Sequence, residues 1–136
     1  MNNIKIILLS LIISFLIGYF LIKYYINIKK DMTYGFIYGI YNKSDFEKET
    51  LNLSNYIYKI ENDKYIVYVG FTRNENNISK LKKYFENKKY NINIQNININ
   101  QELKNVIDSC DILLEKVNDD KQIEKIENKI LEIGVI

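Results

Sequence analysis

Hydrophobic and polar positions divide this chain into three stretches with different periods. Ile6 to Ile22 is an apolar run without a single charge. From Tyr34 to Ile99 short apolar and aromatic bursts alternate with helix-spaced segments, and one pattern occurs twice. The first copy reads Phe36-Ile37-Tyr38-Gly39-Ile40-Tyr41, then Ser44 to Ser54, then Tyr56 to Ile60. The second reads Val67-Tyr68-Val69-Gly70-Phe71-Thr72, then Asn74 to Lys89, then Tyr90 to Ile94. A strand with a glycine, a cap, a helix and a second strand is a βαβ-like unit of about 30 residues. Two such units predict an α+β fold: one small antiparallel βαββαβ sheet with both helices on one face.

The elements follow from local signals. Ser44 and Glu47 form a capping box, so the first helix of the repeat is expected from Ser44 to about Leu53, burying Phe46, Thr50 and Leu53. Tyr56 to Ile60 and Lys64 to Thr72 form a hairpin around the polar Asn62-Asp63 turn. Asn74 caps the second helix, whose Ile78, Leu81, Phe85 and Lys88 make an inward stripe with a snorkelling end. Tyr90 to Ile99 closes the sheet, its isoleucines alternating with Asn and Gln as in a strand with one buried face. Beyond the repeat, Leu103, Val106, Ile107, Cys110, Leu113, Leu114 and Val117 share one helical face, and Ile123, Ile126, Ile130 and Ile133 another. Two helices broken at Asn118-Asp119 result, the second capped by Asp119 with Gln122. The Glu/Lys alternation of that last helix, and Asp108 with Asp111 in the one before it, read as solvated faces.

At about 1.5 Å per residue, Ile6 to Ile22 spans roughly 26 Å, enough to cross a bilayer with Tyr24 and Tyr25 in the far interface. A cleaved signal peptide is the competing reading. It requires a shorter apolar region followed closely by small residues, whereas Lys23-Tyr24-Tyr25-Ile26 follows here. The expected organisation is an anchor over 1–30, a folded domain over 34–99 and a helical extension over 100–136. Lysine counting sets Lys5 against Lys23, Lys29 and Lys30, which taken literally leaves the domain in the cytoplasm.

Composition removes most familiar chemistry. The chain has no His, Pro, Trp or Ala, and one Cys. That leaves no Cys/His zinc spacing, no Ser-His-Asp triad and no disulfide within one chain. Cys110 reads as a small core residue. Neither catalytic residues nor a metal or cofactor site are expected. Setting aside the four lysines that flank the apolar run leaves 15 basic against 17 acidic residues of the 19 and 17 in the chain, which argues against a nucleic-acid partner.

The two glycine-centred strand motifs, each followed by a helix and a strand, resemble the SPOR domain, a bacterial peptidoglycan-binding module of ferredoxin- or RNP-like fold. Both motifs keep the family's apolar-x-apolar-Gly core, and the match covers about Tyr34 to Ile99. The resemblance implies a non-enzymatic domain outside the cytoplasm, tethered by a single span of the cell membrane. It also implies binding of glycan strands at division septa or during sporulation, on the sheet face that the helices leave open. Strand alternation places Ile37, Ile57, Lys59, Ile66, Tyr68, Asn93 and Gln95 on that face and Val67, Val69, Ile92 and Ile94 on the other. Tyr68 would offer an aromatic plate to a sugar ring, Asn93 and Gln95 amides to its hydroxyls, with Lys59 and Ile37 beside them. Ile37 and Tyr68 stand where the family often has Gln or Arg, and Phe71 replaces a small residue. Three isoleucines on a sugar surface equally suit a face covered by the C-terminal helices or by an envelope protein. The alternative function is therefore a membrane scaffold that binds protein and no sugar, its oligomeric state open.

Overall fold

The computed structural model describes residues 2–134 and 136. It divides into two compact units, Met1–Met32 and Thr33–Ile136. The first holds helix α1 (Asn2–Asp31), of which Asn2–Ile28 is long and apolar enough to cross a membrane. No other described helix meets that test.

The second unit contains β1 (Tyr34–Tyr41), α2 (Lys43–Thr50), β2 (Ile57–Glu61) and β3 (Lys64–Thr72), followed by α3 (Ile78–Asn87), β4 (Asn93–Asn96), α4 (Gln101–Glu115) and α5 (Asp120–Leu131). A short 3-10 turn, Glu75–Asn77, leads into α3. The strands form one sheet in the order β2-β3-β1-β4, every neighbouring pair antiparallel. As expected from the repeat, Gly39 and Gly70 lie on adjacent strands: Gly39 pairs with Val67, and Phe36 with Gly70. β2 and β3 meet through Asn62 and Asp63, both at positive φ (50° and 61°), the turn geometry that follows strand twist.

Both crossover helices lie on one face. Phe46 of α2 stacks on Tyr65 at 4.6 Å and packs against Tyr58, while Phe85 of α3 meets Phe36 at 5.5 Å. Gly70 is needed there, because a Cβ would come within 2.8 Å of the Phe85 ring. Two register shifts, one beside Val69 and one beside Tyr38, interrupt the β1–β3 pairing. Lying on opposite strands, they cancel. The pairs Ile37 with Tyr68, Ile57 with Tyr68, Lys59 with Ile66 and Asn93 with Ile37 therefore gather the predicted residues on the second face. The extra residue, Val69, also turns Phe71 to that face, its ring 5.5 Å from Tyr68.

Several local expectations are corrected. The capping box does not start α2: its N-cap is Asn42, which makes no side-chain cap bond and whose Oδ1 instead accepts from Lys64 Nζ. Asp119 is the N-cap of α5 but makes no side-chain cap bond. Asn74 caps the 3-10 turn rather than α3 itself, accepting from Asn76 N at 3.0 Å, while the N-cap of α3 is Asn77, without a side-chain cap bond; Asn100, unforeseen, caps α4 by accepting from Leu103 N at 2.8 Å. β4 is four residues rather than the whole of 90–99. Among the helix residues expected to be buried, Thr50 is, whereas Phe46 and Leu53 are only partly so.

Candidate functional site

The second face of the sheet is closed at its centre. Tyr68 is 2% exposed and Ile37 3%, and Ile57 and Phe71 are buried with them. These side chains belong to one continuous core with Leu103, Ile107 and Leu114 of α4 and Ile123, Ile126 and Ile130 of α5. Ile97, just after β4, lies over this face: its Cδ1 would be 3.2 Å from a Cβ on Gly35, and the Tyr68 ring 2.9 Å. Gly35 thus lets Tyr68 lie flat against the strand, where a larger residue would lift it. The ring expected to offer a plate to a sugar is packed inside the domain, and Ile37 with it. Lys59, Asn93 and Gln95 are exposed on the same face. What the structure brings together is thus a polar margin around an apolar centre that solvent does not reach.

The tail also supplies what the sheet lacks along one edge. β2 pairs with β3 only as far as Tyr68, so beyond it one edge of β3 has no strand beside it. Two carboxylates take the place of the missing strand. Glu127 Oε2 of α5 accepts from Phe71 N at 3.1 Å, and Asp111 Oδ2 of α4 accepts from Arg73 N at 2.8 Å. Asp111 Oδ1 further accepts from Thr72 Oγ1 at 2.6 Å and Asn77 Nδ2 at 3.3 Å. Buried backbone N–H groups require partners, and a carboxylate is a strong one. This corrects the reading of these residues as solvated: Glu127 is 2% exposed and Asp111 is buried, because unpaired strand donors face them. Asp108, by contrast, is exposed and pairs with the chain's single arginine, Arg73 Nε to Asp108 Oδ1 at 2.8 Å. The same guanidinium donates to Thr33 Oγ1 at 2.9 Å, fastening the start of β1.

Burial shapes the electrostatics of this seam. Loss of water pushes the Glu127 carboxyl up to about 8, with the nearby Asp111 charge adding to the rise and the Phe71 N–H opposing it. Asp111 is also held above its ordinary value by burial, despite hydrogen bonds from Thr72, Arg73 and Asn77 that pull the other way. Glu127 Oε1 is buried without a hydrogen-bond partner. Glu127 borders a small cavity of about 30 Å³ that Tyr84, Lys88, Glu124 and Asn128 also line. Cys110 is buried beside the seam, and burial raises its thiol, as suits a packing residue.

The outer surface of the helical pair carries a concave feature with an apolar lining. Val106, Cys110 and Leu113 of α4 and Lys129 of α5 line a shallow groove of about 370 Å³, with Asn105 and Ser109 at its polar side. Ile112, next to it, is 59% exposed. Among the described residues, no group of three or more His, Cys, Asp or Glu stands in a metal-holding arrangement. No protein-family model, curated protein sequence or solved structure matches this chain.

Proposed function

We propose that this chain is a single-pass membrane protein whose folded unit is a non-enzymatic interaction module, a scaffold that binds protein through the outer face of its C-terminal helices. The observation that carries this reading is the burial of Tyr68 and Ile37. A sheet face occupied by the chain's own core has no aromatic plate to offer a sugar, whereas α4 turns two apolar residues outward, Ile112 and Leu113, beside an apolar groove. The strand order β2-β3-β1-β4 with helical crossovers after β1 and β3 supports a ferredoxin-like sheet of SPOR-like arrangement beneath that tail. The helix Asn2–Ile28 supports membrane anchoring, and the SPOR resemblance favours placing the domain outside the cytoplasm.

The second reading, binding of peptidoglycan glycan in division or sporulation, draws on the exposed Lys59, Asn93 and Gln95 at the margin of the closed face. One experiment separates the two. A photo-crosslinking residue at Leu113 in the full-length membrane protein is expected to yield a discrete protein adduct, and pull-down by amidase-treated sacculi to give none. Sacculus binding that disappears in Asn93→Ala/Gln95→Ala, with no adduct at Leu113, would reverse the assignment.

A further inference from the structure

The sheet's edges are not equally protected. Carboxylates cap the upper part of β3, and β4 is four residues long among asparagines. β2 is the other outer strand, and among the described residues no strand pairs with its outward side. Beyond the buried Ile57, its apolar residues are exposed, Ile60 at 57% and Tyr58 on the same face. Such an edge is a template for another strand unless charge blocks it. The charges here do not block it: Lys59 and Glu61 lie on one face and pair with each other at 3.3 Å.

The order Tyr58-Lys59-Ile60-Glu61 is self-complementary. The two-residue turn makes Glu61 and Lys64 its closing pair, so the amide groups of Lys59 and Glu61 face β3 while those of Tyr58 and Ile60 face outward. We propose that β2 pairs antiparallel with β2 of a second copy of this chain, about a two-fold axis through Ile60, joining two sheets edge to edge. In this register the two Ile60 residues exchange N–H···O=C bonds. Lys59 stands opposite Glu61 of the other copy twice, and the Ile60 side chains meet on the face that carries Tyr58. Moving the axis to Lys59 sets two lysines directly opposite, which is unfavourable. The charges therefore select one register and one occupant, where an arbitrary peptide strand would meet half of them wrongly. One strand pair is a small interface, weak between freely diffusing chains and strengthened when anchors confine the copies to one membrane. That strengthening rests on the anchoring proposed above; the pairing itself does not, and it uses no residue of the α4 groove.

The test uses full-length protein in liposomes with a cysteine placed on the edge. Paired residues at a hydrogen-bonded antiparallel site have Cα atoms about 5.5 Å apart, within disulfide reach. Ile60→Cys is expected to form disulfide dimers at least several-fold faster than Ile112→Cys, which is equally exposed but off the edge. The native Cys110 is buried and stays silent. Adding Lys59→Glu to Ile60→Cys should slow dimer formation several-fold, and the swap Lys59→Glu/Glu61→Lys should restore it, with circular dichroism confirming the fold of each. Equal rates at positions 60 and 112, or indifference to the Lys59 charge, would overturn the proposal. So would Ile60→Cys joining a different protein in native membranes while the purified chain stays monomeric. Independently of any variant, carbodiimide treatment of mixed heavy- and light-isotope wild-type chains should give a mixed-mass Lys59–Glu61 peptide, and none would be seen if the edge stays free.

Discussion

Glu127 enters the core because Phe71 N–H has no strand to accept it, and the cost of that burial is written in its protonation. A carboxyl raised to about 8 in the fold and near its ordinary 4.5 when unfolded binds a proton in the folded state that the unfolded state has released. Its contribution to stability is therefore complete below about pH 4.5 and is lost as pH rises through about 8. Asp111, raised by burial too, acts with the same sign. The full-length protein in detergent should lose stability between pH 6 and pH 8 with a slope of up to about 1.4 kcal/mol per pH unit from Glu127. Glu127→Gln keeps an acceptor for Phe71 N–H and should flatten most of that slope, measured as urea midpoints across the range. A slope unchanged in the variant would place the titration elsewhere. At this scale the sequence was least informative. Glu127 sits in a Glu/Lys alternation whose pattern matches a solvated helix face, and nothing local to α5 announces a strand donor 56 residues earlier.

For the elements, legibility depended on whether a signal was periodic or pairwise. Strand alternation located Ile37, Ile57, Lys59, Ile66, Tyr68, Asn93 and Gln95 on one face because side-chain period is a local property. The paired register shifts at Val69 and Tyr38 left that assignment intact. What covers the face is not periodic. The isoleucines at 37 and 57 hinted at it, and Ile97 over Gly35 and Tyr68 supplies the contact. The helical pair also belongs to the domain's core, and deleting Gln101–Ile136 should remove the acceptors of the Phe71 and Arg73 amides and bare the apolar core that α4 and α5 share. The truncated protein is expected to bind a hydrophobic dye and aggregate, checked by light scattering; a monodisperse, folded product would contradict that role. Gly70 is equally sensitive. Phe85 is wedged between Phe36, Tyr84 and Tyr90, so it cannot swing away from a Cβ at 2.8 Å, and Glu127 Oε2 would lie 3.3 Å off. Gly70→Ala should cost about 1–3 kcal/mol, read from chemical denaturation.

Across the whole molecule, the anchor and the folded unit make separate demands. A reporter fused after Ile136 should be active only outside the cytoplasm and remain with membranes, and cytoplasmic activity would remove the glycan reading altogether, since the sugar would never be met. The carboxylate-capped edge of β3 has a further consequence, which concerns time. A hairpin such as β2–β3 closes in about 1–10 μs once its residues are free, whereas synthesis proceeds at about 5–20 residues per second. Glu127 follows Phe71 by 56 residues, so its arrival lags by roughly 3–11 s. For those seconds each nascent copy displays an open strand edge, beside neighbours carrying the same sequence. The stage at which this protein is most prone to misassociate therefore comes before its last helix exists, and the rate at which the ribosome delivers α5 sets how long that stage lasts.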